Sequence, residues 1–236
     1  GHLIDATRAM GEQLRLWGHP PLSSVILTHA HVGHVDGLGL FGRETLNARS
    51  LKLFASQSMH TLIERTPHWA LMLDQGVFET EVTASGRVHA LSETVRLEAV
   101  EVPHRAELSD MHAFVVRGPN RSVLYLTDHD RWDDTLNHHD APSIRAWLKE
   151  LDVDLALIDG TFWSSDELSG RSQLEVPHPP VSETLNRLGP RQEGDPEIYF
   201  IHLNHTNPVH DSASVEHATV LDHGWKVGEQ GATFTL

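Results

Sequence analysis

The sequence contains no cysteine, so disulfide bonds and thiolate metal sites are both excluded. It also has no apolar run long enough to cross a bilayer as a helix. Basic residues are scarce, with 18 Lys and Arg against 33 Asp and Glu, which gives a formal net charge of −15. Such a surface repels phosphate backbones. We therefore expect a small-molecule substrate and neither a nucleic acid nor a membrane as partner, and we leave a homodimer open.

The start of the chain carries little information about its location. The first residue is Gly1 and not methionine, so a segment removed from the front and a shortened chain would look the same. We expect a cytoplasmic protein.

Histidine is abundant, with 19 residues, about three times the ordinary usage for a chain of this size. Three of them lie in the segment "THAHVGH", as His29, His31 and His34. Imidazole is a good ligand for zinc, iron and other transition metals. Catalytic zinc sites take three protein ligands and keep a position for water. The segment therefore predicts a metal site, although a single histidine is more often structural or exposed.

Strands and helices alternate along the chain, which predicts an α/β fold with mixed sheets in one domain, residues 1–236. The predicted strands are 2–5, 25–28, 51–55, 95–102, 113–117, 122–127, 155–158 and 198–201. The predicted helices are 6–17, 35–47, 56–65, 143–151 and 181–188, and residues 160–180 are expected to form a long loop.

Residues that bind metals repeatedly follow the ends of the predicted strands. They are His29, His104, Asp128, Asp159 and His202. Sites in α/β folds form where strands end, because the strands hold side chains rigidly while loops converge. We therefore expect these residues to belong to one site.

Two other readings of the sequence are weaker. The segment "GLGLFG" (Gly37, Gly39, Gly42) matches a dinucleotide-binding pattern, but it does not directly follow a strand, so helix packing explains these glycines better. A Ser-His-Asp hydrolase would need a G-x-S-x-G elbow, which the sequence lacks.

The order of the motifs resembles the metallo-β-lactamase family. "THAHVGH" is similar to its H-x-H-x-D-H signature, and "LIDA", "VPH", "YLTD", "DG" and "FIHLNH" occur in the family's order. "VPHRAELSD", "IDGTFW", "HPP" and "HLNHTNP" resemble the branch that contains the PQQ-biosynthesis B protein and the cyclic phosphodiesterase of the carbon–phosphorus lyase pathway. The resemblance implies an αββα sandwich of two mixed sheets packed face to face with helices outside. It also leads us to expect strands ahead of "LIDA", so that either a segment upstream of Gly1 is absent from this sequence or the first sheet is short of its edge strands.

The resemblance also implies roles for individual residues. The first metal would be bound by His29, His31 and His104, with Asp128 bridging to a second metal held by His34 and His202. Asp5 and Asp159 would not bind the metals themselves but would orient the residues that do. His178 is expected to be the general acid, and His205 to contact the substrate or assist the proton transfer.

The family's second-site aspartate is replaced by Gly33. Three ligands of the second metal remain, so we expect one or two divalent metals, with the second bound more weakly. His205 or Asp130 could compensate for the missing ligand. The glycine could also serve a tight turn of the loop.

The implied activity is metal-dependent hydrolysis, in which metal-bound hydroxide attacks a small ester, lactone or phosphodiester. Zinc is the expected metal, with manganese or iron as alternatives. Phe162 and Trp163 are expected to shape the substrate pocket, unless they belong to the core. An alternative is a mononuclear iron enzyme with oxidative chemistry of the PQQ-biosynthesis B type, since the loss of one ligand favours a single metal. A third reading is a metal-binding protein without catalysis.

Overall fold

The structure is a computed structural model that describes residues 1–168 and 175–236. It divides the chain into two compact units. The first unit consists of Gly1–Arg87, Ala99–Glu101 and Ala106–His112, and the second of Val88–Glu98, Val102–Arg105 and Ala113–Leu236. A single domain over residues 1–236 stays a prediction.

Strands and helices alternate through the described residues. The strands are β1 His2–Ile4, β2 Ser24–Ile26, β3 Leu51–Ala55, β4 Phe78–Val82, β5 Val88–Ala90, β6 Arg96–Val102, β7 Met111–Arg117, β8 Ser122–Leu126, β9 Leu155–Asp159, β10 Glu197–Ile201 and β11 Lys226–Val227. The α-helices are α1 Met10–Leu16, α2 Val32–Val35, α3 Gln57–Arg65, α4 Pro67–Asp74, α5 Trp132–His138, α6 Ile144–Glu150, α7 Val181–Leu188 and α8 Val215–Asp222.

These strands form two sheets. One has four strands in the order β1-β2-β3-β4, and the other has seven in the order β11-β10-β9-β8-β7-β6-β5. The predicted α/β class is confirmed. The seven-stranded sheet is mixed, because β8 pairs antiparallel with β7 and parallel with β9. The four-stranded sheet departs from the expected mixed pairing, since all of its pairs are parallel.

Each unit has its own hydrophobic core. In the first unit, side chains of the parallel strands pack with those of the helices, and Met10, Leu53 and Phe41 are fully buried there. In the second unit, Trp132 and Trp147 are buried, with ring centroids 6.2 Å apart. These cores fix the strands from whose ends the candidate ligands extend.

Several predicted elements are confirmed, because local signals and burial agree there. Strand 51–55 and helix 181–188 match their predicted bounds. The predicted hairpin of 113–117 and 122–127 is present as the antiparallel pair β7–β8. Helix α3 begins after Ser56, whose hydroxyl accepts a hydrogen bond from the Met59 amide as an N-cap.

The predicted helix 35–47 is wrong. The chain forms α2 and then a 3-10 helix at Asp36–Phe41. The cause is a close backbone approach, because a Cβ at Gly37 would lie only 2.3 Å from the Thr7 carbonyl oxygen. The Gly37 amide donates to the Ala6 carbonyl over 2.8 Å, and this contact takes the place of helical hydrogen bonding. Helix α1 is shorter than the predicted 6–17 and begins only at Met10.

The sequence patterns also missed helices α4, α5 and α8, each of 7 or 8 residues. Part of the expected loop 160–180 lies outside the described residues. In the part of the chain that the structure describes, no helix combines the length and the apolar character that crossing a membrane requires.

Candidate metal centre

In the first unit, Asp5 forms hydrogen bonds with two residues of the histidine segment, Thr28 and His34. It follows β1 and is almost fully buried. Its Oδ1 accepts a hydrogen bond of 2.9 Å from the Thr28 amide, and both of its carboxylate oxygens lie 3.0 Å from the Thr28 hydroxyl oxygen. Its Oδ2 also lies 2.7 Å from His34 Nδ1. One carboxylate thus fixes the backbone at the end of β2 and one imidazole ring.

These contacts determine how the rings are protonated. A carboxylate only accepts hydrogen bonds, so His34 Nδ1 must donate to Asp5, and the lone pair of the neutral ring is on Nε2. The single hydroxyl proton of Thr28 is directed to Asp5, so the hydroxyl oxygen accepts from His29 Nδ1 over 3.0 Å. The lone pair of His29 is therefore also on Nε2, the form in which imidazole binds a metal.

His31 completes the group in the first unit. Its Nδ1 lies 2.9 Å from His29 Nε2, and its Nε2 lies 3.3 Å from a Glu107 carboxylate oxygen. If His31 Nε2 donates to Glu107, its Nδ1 also carries a lone pair. Two facing nitrogen lone pairs repel each other unless a proton or a cation lies between them. The spacing fits two ligands of one cation with bonds of about 2.0–2.1 Å.

In the second unit, three histidines surround the buried carboxylate of Asp128. Its oxygens lie 3.8 Å from His104 Nε2, 3.8 Å from His178 Nε2 and 3.7 Å from His202 Nε2. These separations exceed a hydrogen bond and match those between ligands of a shared cation. The ligand atoms of Asp128, His178 and His202 all lie within 4.8 Å of one another. The second unit therefore presents a donor set of one carboxylate and several imidazoles.

Asp159 organises two of these rings in the way that Asp5 does in the first unit. Its Oδ1 accepts the Thr161 amide over 2.9 Å and the Thr161 hydroxyl over 2.6 Å. Its Oδ2 accepts from His178 Nδ1 over 2.7 Å. The Thr161 oxygen, whose proton is directed to Asp159, accepts from His202 Nδ1 over 2.9 Å. Each unit thus contains one aspartate, one threonine and two oriented histidines in the same pattern of contacts.

The third ring, that of His104, is held by Asp130. The Asp130 carboxylate accepts from His104 Nδ1 over 3.0 Å and from the Arg105 amide over 3.2 Å. Burial alone would raise the pKa of Asp130, but the hydrogen bond from His104 and the adjacent positive charges lower it overall. Asp130 is thus occupied in orienting His104, which argues against its suggested role as a replacement ligand.

Burial and neighbouring charges also act in opposite directions on the pKa values of His178 and Asp159. Burial alone would lower the pKa of His178, but the carboxylate of Asp159, followed by that of Asp128, outweighs burial and raises it. Burial would likewise raise the pKa of Asp159, whereas the neighbouring His178 charge and hydrogen bond lower it. The pair therefore favours a protonated His178 beside an ionised Asp159.

Two of the predicted substrate residues line a cavity of about 380 Å³ in the second unit. Phe162 is buried, and its ring centroid lies 5.8 Å from that of His178. His205 is exposed and lies on the same cavity. The described residues that line it are Phe162, Glu167, Leu168, Val176, Asn204, His205 and Thr206. They do not include Trp163, whose place in the substrate pocket stays a prediction.

Gly33 lies within α2 and has no left-handed backbone conformation. The idea that it serves a tight turn of the loop is therefore wrong. A Cβ built at Gly33 meets no heavy atom within 4 Å, so the position has room for a side chain. The structure therefore shows no steric reason for a glycine at the position where the family has a ligating aspartate.

The donor set fits a divalent metal such as zinc or manganese, because it combines neutral imidazoles with buried carboxylates. The predicted ligands are divided between the units, with His29, His31 and His34 in the first and the remainder in the second. Their joint binding of one or two metals stays a prediction. The sequence patterns missed Thr28 and Thr161, whose roles depend on contacts that no motif showed.

The chain is similar to known proteins over most of its length. A family model described as a beta-lactamase superfamily domain matches residues 2–203. "Coenzyme PQQ synthesis protein B" of Xanthomonas campestris pv. campestris (strain B100) is 29% identical over 99% of this chain and 79% of its own length. The protein of the same name from Xanthomonas oryzae pv. oryzae (strain MAFF 311018) is 28% identical, with the same shares covered.

Two solved structures show the same fold. The Zn²⁺-bound PqqB of Methylobacterium extorquens aligns with a TM-score of 0.77 and 20% identity, over 100% of this chain and 83% of that one. A diphosphatase of the PhnP family aligns with a TM-score of 0.66 and 18% identity, over 100% and 80% respectively. These likenesses confirm the metallo-β-lactamase fold that the motifs predicted.

Proposed function

Since this chain belongs to the beta-lactamase superfamily, as the match over residues 2–203 shows, we propose that it is a metal-dependent hydrolase of a small ester, lactone or phosphodiester. The superfamily and the fold include hydrolases of several substrate classes, so the substrate must be argued from the site. The acidic surface, with a net charge of −15, favours a small substrate over a polynucleotide.

One observation carries the proposal: the imidazoles of His104, His178 and His202 all direct Nε2 towards the Asp128 carboxylate in the second unit. Each Nδ1 is held by its own hydrogen-bond partner. Rings fixed in this way by outer partners are characteristic of metal ligands, which fits His104 and His202. The raised pKa of His178 instead favours a proton on its Nε2. We propose zinc as the metal, held by His104, Asp128 and His202 together with the histidines of the first unit that the resemblance implies.

A bound divalent metal supplies a water of lowered pKa and stabilises negative charge on the reacting oxygens. The protein's own contribution is orientation and proton transfer. The Asp159 carboxylate holds the Nδ1–H of His178, so the Nε2–H of the imidazolium is the proton available for transfer. Its raised pKa favours the protonated form. We propose that His178 gives this proton to the leaving-group oxygen, as a general acid.

Removal and replacement of the metal tests the proposal. The purified protein is treated with a chelator, reloaded with Zn²⁺, Mn²⁺ or Fe²⁺, and assayed with bis(4-nitrophenyl) phosphate and 4-nitrophenyl acetate. We expect hydrolysis to require the metal and Asp128→Asn to lose metal and activity together. The matched control is Asp222→Asn, an equal change of charge at the exposed end of α8, which should alter neither. Hydrolysis that survives both metal removal and Asp128→Asn would contradict the proposal.

A second candidate is a step in the synthesis of the coenzyme PQQ, with one iron and oxidative chemistry. Relatives named for that synthesis cover 99% of this chain, and Gly33 leaves the second metal position one ligand short. Elemental analysis of the purified protein separates the two candidates. One iron per chain favours oxidation, whereas two zinc or manganese ions per chain favour hydrolysis.

A further inference from the structure

The cavity of the second unit contains a carboxylate that the proposed reaction does not use. Glu167 lies on the cavity wall and is half-buried. Its Oε2 accepts the Trp163 amide over 2.6 Å, and its Oε1 accepts the hydroxyl of Thr206. Two donors from separate parts of the chain therefore hold the side chain in one orientation.

The partners of Glu167 are themselves fixed. The Asn204 amide nitrogen donates to the Thr206 hydroxyl oxygen over 2.6 Å, and the Asn204 backbone amide donates to the Thr161 carbonyl over 3.0 Å. The Thr206 hydroxyl oxygen accepts the bond from the Asn204 side chain, and the hydroxyl proton is donated in a hydrogen bond to Glu167. This chain of contacts ties the carboxylate to the same threonine that orients His202. The position of Glu167 is thus set relative to the proposed reacting groups.

The remaining described residues of the wall are of two kinds. Phe162, Leu168 and Val176 are apolar, whereas Asn204, His205 and Thr206 are polar. The Phe162 ring also contacts the His178 ring, at 5.8 Å between centroids. A group that leaves the reaction centre beside His178 would therefore enter a space with an apolar side and a polar side, in which Glu167 is the one carboxylate among the described residues. A carboxylate in such a space attracts hydrogen-bond donors and cations and repels anions.

We propose that this cavity receives the leaving group of the substrate and that Glu167 selects an apolar leaving group carrying an ammonium over one carrying an anion. The leaving-group assignment depends on the proposed hydrolase function. The charge selection depends only on the cavity, and binding measurements without turnover can test it separately.

The test uses two phenols of similar size as leaving-group probes. Tyramine carries an ammonium, and 4-hydroxyphenylacetate carries a carboxylate in its place. Equilibrium binding of each is measured by calorimetry on the metal-loaded protein, and each is then tested as an inhibitor of bis(4-nitrophenyl) phosphate hydrolysis. We expect tyramine to bind about tenfold more tightly, since a partly screened charge pair contributes on this order.

Glu167→Gln keeps the size of the side chain and removes its charge, so it should bring the two affinities to within about twofold of each other. The matched control is Asp166→Asn, which removes the same charge from the neighbouring exposed residue and should leave the preference unchanged. Thr206→Val removes one of the two donors to Glu167 and should reduce the preference only in part.

Equal binding of the two probes to the unaltered protein would overturn the proposal, and so would no measurable binding of either. A preference that persists in Glu167→Gln would overturn it as well. A preference for tyramine that Glu167→Gln abolishes, in a protein that hydrolyses no ester, would support the charge selection and refute the hydrolase function.

Discussion

His129 lies between the candidate ligand Asp128 and Asp130 in the chain. Its side chain is completely buried. Nδ1 lies 2.9 Å from the Thr135 hydroxyl, and the ring packs against Trp132 with centroids 4.4 Å apart. Nε2 has no hydrogen-bond partner among residues 1–168 and 175–236. A second proton on this ring would therefore be buried without an acceptor.

Burial accordingly lowers the pKa of His129 to about 4, although the nearby carboxylates of Asp159 and Asp128 act in the opposite direction. In the unfolded chain the pKa is about 6.5. The unfolded state therefore binds the additional proton first as the pH falls, and the folded state loses stability through this window. The stability is fully present above pH 6.5, and the loss from His129 alone is about 2 kcal/mol at pH 5 and about 3 kcal/mol at pH 4.

The measurement is urea unfolding of the metal-free protein between pH 7.5 and 4, compared with His129→Gln. Glutamine does not titrate and can still hydrogen-bond to Thr135, so the difference between the two pH profiles isolates the histidine. Chelation of metal beforehand removes the competing effect of proton release by ligands. We expect the free energy of unfolding of the unaltered protein to fall by about 2 kcal/mol more than that of the variant between pH 7 and 5. Parallel profiles would refute this account of His129.

Other predictions concern the metal site and the histidine segment. Gly33→Asp should raise the occupancy of the second metal, because the position has room for a side chain. Titration of metal into the metal-free form of both proteins checks this, and equal stoichiometry and affinity would place the missing ligand elsewhere. His202→Ala should lower metal content and activity together, whereas His205→Ala should lower activity with the metal retained; the reverse result would exchange their roles. Thr161→Val should weaken metal binding by about 10–100-fold, and Thr161→Ser should restore it, because only the hydroxyl orients His202. Gly37→Ala should destabilise the protein by about 1–3 kcal/mol in urea unfolding, because its Cβ would meet a carbonyl oxygen; an unchanged midpoint would show that the backbone yields there.

The sequence by itself determined the fold class and the residue types of the site. Continuous apolar runs such as 155–158 and 198–201 predicted buried strands, and polar residues directly after them predicted where side chains gather. These signals are local, because a buried strand must be apolar along its length and a metal needs histidine or carboxylate ligands. They can therefore be recognised in a single sequence.

The tertiary structure decided what depends on contacts between distant residues. The protonation of His29 and His202 follows from threonine hydroxyls held by Asp5 and Asp159, and no spacing in the sequence shows where a hydroxyl proton points. The predicted helix 35–47 is interrupted because Gly37 approaches the backbone of residues 6 and 7 closely. Helix propensity is a small local preference, whereas a packed backbone contact excludes conformations outright, so the contact prevails.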